Sequence, residues 1–179
     1  MNDKNLMNHA ADNIRILAVS MVEKAKSGHP GGAMGGADFI NVLFSEFLVY
    51  DPNNPEWEGR DRFYLDPGHM SPMLYAVLAM QGKYTIDELK QFRQWGSITP
   101  GHPERDIKHG IENTSGPLGQ GHTYAVGAAI AEKFLEARLS HTMMQHKIYA
   151  YISDGGIQEE ISQGAGRIAG LLHLDNLIM

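Results

Sequence analysis

The glycines of this chain cluster at the joints between periodic segments, and this clustering constrains the fold more than any other feature. The chain has 20 glycines among 179 residues, and they concentrate in the stretches GHPGGAMGG, DPGH, SGPLGQGH and SDGGI. DPGH and SDGGI directly follow short apolar segments with the composition of strands. Glycine in such positions serves a tight turn or lets the backbone approach a ligand closely. The sequence therefore predicts a ligand site that is built from turns.

Helical and extended patterns alternate along the chain. Apolar residues recur at helical spacing between the glycine clusters, and β-branched and aromatic residues mark short strands. The predicted helices are 4–26, one after Gly31, 71–81, a short one begun by the capping-box pattern at Thr85, 122–139 and 157–172; the predicted strands are 63–65, 147–152 and 176–179. This alternation predicts an α/β fold, a parallel sheet flanked by helices that binds its ligand beyond the carboxyl ends of the strands.

Two further expectations concern the buried face of one helix and the number of domains. In helix 122–139 the periodicity predicts a buried face that consists of Ala125, Val126, Ala129, Ile130 and Phe134. No shift in composition and no linker marks a domain boundary, so residues 1–179 are expected to belong to one domain.

Composition restricts the classes of function. A net charge of −6 does not predict a nucleic-acid-binding surface, and no apolar run reaches the length of a membrane span. The chain has no cysteine, which excludes disulfides, thiolate metal sites and cysteine nucleophiles. Its first fifteen residues lack the apolar segment of a secretory signal. We therefore expect a cytoplasmic protein that binds neither nucleic acid nor membrane.

Asp154 stands between a predicted strand and the helix that follows, with Gly155 and Gly156 directly after it. One interpretation is that its carboxylate caps the helix, since aspartate is common at that position. The other is that the carboxylate binds a divalent cation while the glycines let the backbone and the helix N-terminus approach phosphate oxygens. Mg²⁺ takes one or two protein carboxylates together with substrate phosphates in such sites. Spacing alone leaves both interpretations open.

A second candidate is the loop TSGPLGQGH at 114–122, which leads directly into a predicted helix. Its hydroxyls, glycine amides and helix start suit a phosphate or a heteroaromatic ring, and a rigid structural loop is the alternative. It is not a Walker A loop, because the GK[ST] ending is missing. Further along, Glu159 is expected one turn into the last helix, where it could face a partner subunit, a cofactor or solvent.

Three histidines lie in glycine- and proline-rich turns: His29, His69 and His102. A histidine in a turn can transfer protons or donate hydrogen bonds to charged substrate groups. For each one alone the alternative is a structural histidine that hydrogen-bonds the backbone. Their spacing does not match a zinc site. The recurrence of the same setting favours a shared functional role.

Together these segments resemble transketolase, a family of thiamine diphosphate enzymes. The resemblance runs from about residue 10 to the end of the chain. The motifs that carry it are SGHPG at 27–31, PGH at 67–69, TPGHPE at 99–104, TSGPLGQG at 114–121 and SDGGIQE at 153–159. Their order and spacing are similar to those of the N-terminal, pyrophosphate-binding domain of that family.

The resemblance implies a site for thiamine diphosphate and Mg²⁺, or another divalent cation such as Ca²⁺. Asp154 would be a metal ligand, and Gly155 would contact the diphosphate. Gly116, Pro117 and Leu118 would line the cofactor near its aminopyrimidine, and His69 would hydrogen-bond the diphosphate side. His29 and His102 would face the sugar and transfer protons. Glu159 would form a dimer contact that connects the two active sites.

The implied activity is the transfer of a two-carbon ketol unit from a ketose phosphate to an aldose phosphate by a homodimer of the pentose phosphate pathway. In the family, an asparagine that completes the metal site would fall beyond Met179, and the glutamate that activates the aminopyrimidine comes from a later domain of the other subunit. Residues 1–179 thus resemble the N-terminal part of the pyrophosphate-binding domain without the pyrimidine and C-terminal domains. We expect this segment alone to be inactive.

Two alternatives stay open. The chain could be a subunit of a split transketolase-like enzyme whose partner chain carries the pyrimidine domain, or a non-catalytic chain that binds a phosphorylated ligand or a partner. Deoxyxylulose-phosphate synthase, a related thiamine enzyme, is less similar because the GHPE and SGHPG motifs are typical of transketolase.

Overall fold

The computed structural model describes residues 2–139 and 145–179. The chain divides into two compact units, each built from two separate stretches of sequence. The first unit comprises Met1–Leu48 and His69–Pro103, and the second comprises Val49–Gly68 and Glu104–Met179. The described part of the first unit is helical, and the second unit contains the sheet.

The first unit is a group of packed helices. They are α1 (Lys4–Ala25), α2 (Pro30–Gly35), α3 (Ala37–Val42), which continues as a π-helical turn, α4 (Ser71–Met80) and α5 (Ile86–Leu89). Helix α1 packs against α2, α3 and α4. The predicted capping box is confirmed: Thr85 accepts a hydrogen bond from the backbone N–H of Glu88, whose carboxylate accepts one from the backbone N–H of Thr85. The sequence therefore fixes the start of α5 locally.

Helix α4 supplies the centre of the first unit. It is buried from Ser71 to Leu78. The ring of Tyr75, which is 0% exposed, makes edge-to-face contacts with Tyr84 and Phe92 at centroid distances of 5.5 and 6.3 Å. Aromatic pairs in this geometry are favourable beyond their buried area. They anchor the segments on both sides of α5 to α4.

The second unit is built on a parallel sheet. In the described part of the chain the sheet has the order β1 (Arg62–Leu65), β2 (Ile148–Tyr151), β3 (Leu177–Ile178). Its helices are α6 (Gln120–Arg138), α7 (Asp154–Gln158) and α8 (Glu160–Leu171). Helix α6 packs on the strands, and α8 packs on α6. This arrangement confirms the predicted α/β class with a parallel sheet flanked by helices.

Small side chains let α6 approach its neighbours. Ala125 and Ala129 pack with Tyr64, Ile148 and Ala150 of the sheet. The expectation that Ile130 and Phe134 belong to the buried face is wrong, since they are 37% and 60% exposed. The buried stripe instead runs along one side of α6, through His122, Ala125, Val126, Ala129 and Glu132. Two of its positions are polar, so apolar periodicity alone misplaced the stripe.

The last predicted helix, 157–172, differs in two ways. It begins earlier, at Asp154, and it is interrupted at Glu159, whose ψ of 138° is extended rather than helical. Glu159 is therefore not inside a helix but joins α7 to α8. Within the described ranges, none of the helices is long and apolar enough to cross a membrane.

Candidate functional site

The centre of the second unit is a buried carboxylate, Asp66, at the end of β1. Asp66 is 0% exposed, and its Oδ1 atom accepts hydrogen bonds from the backbone N–H groups of Gly121 at 2.8 Å and His122 at 3.4 Å. Its Oδ2 atom accepts one from the N–H of Gly119 at 3.2 Å. Hydrogen bonds to an ionised acceptor are among the stronger ones in proteins. Asp66 thus caps the N-terminus of α6 from a distant part of the sequence.

This cap changes the interpretation of the glycine-rich loop at 114–122. Gly119 is left-handed, with φ of 86°, and as a glycine it has no side chain with which to cap α6. The amides of Gly119, Gly121 and His122 are already bound by Asp66. These three amides are therefore bound within the protein, and a role of the loop in binding a phosphate or a ring stays a prediction that depends on its other groups.

Three glycine-rich joints meet around Asp66. A Cβ atom on Gly121 would overlap the Cα of Asp66, and a Cβ on Gly156 would overlap its Oδ2 atom. A Cβ on Gly68 would lie 2.8 Å from the Oγ of Ser115. Only glycine fits such approaches. The clusters DPGH, SGPLGQGH and SDGGI are therefore parts of one structure at the carboxyl ends of β1 and β2.

The position of Asp154 separates its two interpretations. The cap of α7 is Ser153, whose hydroxyl accepts a hydrogen bond from the N–H of Gly156 at 3.0 Å. Asp154 is exposed in the first turn, and among the described residues its carboxylate accepts no hydrogen bond and pairs with no cation. The capping interpretation is wrong. Because α7 has only five residues, it offers a much smaller dipole than the long helix that the sequence predicts.

The proposed cofactor residues of this unit lie beside each other. A Cβ on Gly155 would lie 3.3 Å from Cδ1 of Leu118, which brings the SDGGI turn against the SGPLGQGH loop. Gly116 and Leu118 are half-buried, and Pro117 between them is exposed. The loop thus presents an edge that a ligand can reach from outside.

Glu159 also belongs to this neighbourhood. Its Cβ lies 2.8 Å from the position of a Cβ on Gly119, and the nearby Ser162 hydroxyl donates a hydrogen bond to the carbonyl of Gly156 at 2.5 Å. The break between α7 and α8 lets these groups pack against the loop. The Glu159 side chain is exposed.

The three turn histidines all belong to the first unit. The rings of His29 and His69 are in edge contact, with centroids 5.0 Å apart and planes at 68°. His29 and His102 are exposed, whereas His69 is half-buried. The pKa of His102 is lowered because the protein excludes water from part of its ring, and also because the positive charges of Arg93 and of His29 lie nearby. A lowered pKa favours a neutral imidazole at pH 7.

The turn that carries His102 is held by buried side chains. Tyr75 donates a hydrogen bond from its hydroxyl to the carbonyl of Pro100 at 2.9 Å, and Ser71 donates one to the carbonyl of Gly101 at 2.8 Å. Thr99, which is 0% exposed, donates one from its hydroxyl to the carbonyl of Glu88 at 3.0 Å. These bonds fix the backbone immediately before the imidazole.

The second unit fits a diphosphate held through a cation. It offers an exposed carboxylate at Asp154 and, beside Gly68, the hydroxyl of Ser115, which is 6% exposed and has no hydrogen-bond partner within the described ranges. No three acidic, histidine or cysteine side chains meet as a complete metal site in the part of the chain that the structure describes. A cation at Asp154 would therefore take further oxygen ligands from phosphate and water, as Mg²⁺ commonly does.

Sequence reasoning missed Asp66, Ser115 and Arg93. An aspartate directly after a predicted strand and before Pro-Gly was the available signal for Asp66. Ser115 was visible only as part of a motif. Nothing in the local pattern singles out Arg93, because its hydrogen bond to Ser27 joins residues 66 positions apart.

Comparison with known proteins gives a consistent result. The family model described as the thiamine diphosphate binding domain of transketolase matches residues 6–179. A transketolase of Rhodobacter capsulatus is 50% identical over 168 residues, which cover 93% of this chain and 25% of that protein. The chain thus spans about a quarter of the length of such relatives.

Solved structures are similar as well. The transketolase of Campylobacter jejuni superposes with a TM-score of 0.92 at 45% identity, covering 99% of this chain and 28% of that one. A transketolase of Pichia stipitis in complex with sedoheptulose-7-phosphate superposes with a TM-score of 0.88 at 39% identity, covering 96% and 26%. At these identities the similarity extends beyond the general fold.

Proposed function

Because this chain belongs to the transketolase family and matches the thiamine diphosphate binding domain of that family, we propose that it forms part of a transketolase. The enzyme moves a two-carbon ketol unit from a ketose phosphate to an aldose phosphate. We propose that residues 1–179 are the N-terminal part of the pyrophosphate-binding domain and supply the diphosphate and metal half of the site. The complex of a relative with sedoheptulose-7-phosphate supports sugar phosphates as substrates.

The observation that carries the proposal is the meeting of three glycine-rich joints around Asp66. They form one surface at the carboxyl ends of parallel strands, the region where such sheets bind ligands. Asp154 is exposed on this surface without a partner among the described residues. An isolated carboxylate at a strand end is suited to bind a cation that is neutralised by phosphate.

Within this site each residue has a distinct task. Asp154 coordinates Mg²⁺, or Ca²⁺ in its place, and Gly155 lets the backbone approach the diphosphate. Gly116, Pro117 and Leu118 line the side of the aminopyrimidine ring. Bound thiamine diphosphate supplies the carbanion chemistry that carries the ketol unit, while the protein orients it and transfers protons.

The histidines would act on the diphosphate and the sugar. His69 donates a hydrogen bond on the diphosphate side. His29 and His102 exchange protons with the sugar hydroxyls, for which an imidazole is suited because its pKa lies close to the working pH. The lowered pKa of His102 supports a neutral ring that can accept a proton.

The assembly and setting also belong to the proposal. Glu159 is exposed at the break between α7 and α8, where it could contact a second copy of the protein in a homodimer or a partner chain that carries the pyrimidine domain. Activity in the cytoplasm, as part of the pentose phosphate pathway, stays a prediction from the composition and from the family.

Substitution of Asp154 tests the metal site. In the protein as expressed from its gene, Asp154→Ala should weaken Mg²⁺-dependent binding of thiamine diphosphate by about 100-fold or more, because residues that merely orient metal ligands already account for about 10- to 100-fold. Isothermal titration calorimetry measures this loss.

Asp87→Ala is the matched control, since Asp87 is also an exposed aspartate in the first turn of a short helix. It should bind the cofactor as the unaltered protein does. Equal affinity of Asp154→Ala and the unaltered protein would contradict the assignment.

A further inference from the structure

Arg93 has an unusual backbone. Three non-glycine residues of the described chain have positive φ: Lys26 at 51°, Arg93 at 61° and His173 at 51°. Lys26 directly follows α1 and His173 lies just beyond α8, positions where a left-handed residue commonly ends a helix. The amide of Arg93 instead donates to the carbonyl of Thr99 at 3.0 Å and closes the loop that leads to His102. A strained residue that its surroundings hold in place is a reason to look for function.

The side chain of Arg93 lies against two of the three histidine turns of the first unit, those of His29 and His102. Its Nη1 donates a hydrogen bond to the hydroxyl of Ser27 at 2.9 Å, two residues before His29. A Cβ on Gly101 would lie 2.7 Å from its Nε, so the turn before His102 rests on the guanidinium. The Nε is buried and has no hydrogen-bond partner among the residues that the structure describes. The guanidinium also lies 5.6 Å from the centroid of the Phe92 ring.

We propose that Arg93 is a positioning residue that joins the Ser27 and Gly101 turns and places a permanent positive charge beside His29 and His102. Its role in ketol transfer rests on the proposed function, whereas its link between the two turns does not. Glycine at 101 allows the approach, and the planar guanidinium reaches both turns at once. Lysine carries its charge on a single ammonium nitrogen and lacks the planar guanidinium that lies against both turns.

The positive charge of Arg93 affects the pKa of His102. The groups in the first unit that act on its ring are Arg93 and His29, and His29 in turn contacts His69. A fixed cation disfavours the protonated imidazole and so lowers the pKa of His102. Removal of the cation should raise that pKa. If His102 must be neutral to act as a base, the activity of the variant should then fall at a higher pH than that of the unaltered protein as the solution is made more acidic.

Two substitutions separate the charge of Arg93 from its shape. Arg93→Met keeps much of the apolar stem and removes the charge, and Arg93→Lys keeps the charge and removes the planar fork. Lys26→Met is the matched control, because it removes an exposed cation, paired with Glu23, from another left-handed position. The protein is used as expressed from its gene, with bound thiamine diphosphate and Mg²⁺.

The first measurement is an NMR titration of the His102 ring, assigned with His102→Gln. In Arg93→Met the pKa of His102 should rise, while in Arg93→Lys and Lys26→Met it should stay close to that of the unaltered protein. This measurement needs no catalytic activity. An unchanged titration in Arg93→Met would overturn the inference, whether or not ketol transfer is observed.

The second measurement is kcat/KM of ketol transfer as a function of pH. Arg93→Met should move the acidic limb to higher pH and lower kcat/KM about 10- to 100-fold at neutral pH, since small misplacements of catalytic groups have effects of this size. Arg93→Lys should lower kcat/KM without moving the limb, and it also serves if Arg93→Met does not fold. If Arg93→Lys matched the unaltered protein, the positioning role would be wrong. If the unaltered protein transferred no ketol unit, the proposed function alone would fail.

Discussion

At the residue scale, Asp66 is the side chain on which the candidate site depends. It receives three backbone N–H groups from the start of α6, and the glycines of two neighbouring joints pack directly on it. A buried carboxylate with this many donors is stable only while all of them remain in place. Its position therefore couples the cap of α6 to the geometry of the turn that holds Asp154.

Substitution of Asp66 with asparagine tests that coupling. Asp66→Asn keeps the shape, but its amide group cannot accept on both sides, so an N–H of α6 loses its acceptor. The free energy of unfolding should fall by about 2 kcal/mol, the usual cost of an unsatisfied buried group. Urea denaturation measures it. The exposed Asp87→Asn should change the stability by less than about 0.5 kcal/mol, and an equally small effect at Asp66 would refute the coupling.

At the element scale, local patterns predicted the elements well where they carried their own signals. The capping box at Thr85 and the strand 63–65 depend on residues next to each other, and both are present. The break at Glu159 was missed because it arises from contacts with the loop before α6, which periodicity does not reveal. The buried stripe of α6 was misplaced for the same reason, since His122 and Glu132 lie in it beside Asp66 and His146.

Two glycines of these elements should respond in opposite directions. Gly156→Ala should lower the free energy of unfolding by about 3 kcal/mol, because its Cβ would overlap Oδ2 of Asp66. Gly166→Ala, in α8, should raise it by about 0.5–1 kcal/mol through a better helix propensity, because the new Cβ meets no described atom within 4 Å outside its own helix. Chemical denaturation of both variants measures the difference. Equal effects would show that close packing is not what selects glycine at position 156.

At the scale of the whole molecule, no pattern in the sequence indicates two compact units. Each unit is assembled from two stretches that are separated in sequence, so no linker or change in composition marks a boundary. The sequence motifs did include the three turns that meet around Asp66. They could not predict that Asp66 occupies the amides of α6, because that contact joins residues more than fifty positions apart.

The division of labour within the proposed enzyme gives a further prediction. The chain covers about a quarter of the length of its relatives, and we propose that the remaining parts of the active site lie in segments outside residues 1–179. This segment alone should not transfer a ketol unit from xylulose 5-phosphate, even with thiamine diphosphate and Mg²⁺ present. A coupled assay measures the turnover. Robust turnover would show that the division is wrong.

The central claim is that the joints around Asp66 hold a cation and a diphosphate. A crystal structure of the protein with thiamine diphosphate and Mg²⁺ tests this claim most directly. The account predicts a metal ion about 2.1 Å from a carboxylate oxygen of Asp154, with the diphosphate beside Gly155 and the cofactor ring against Leu118. A bound cofactor whose metal lies elsewhere, with Asp154 in solvent, would contradict it.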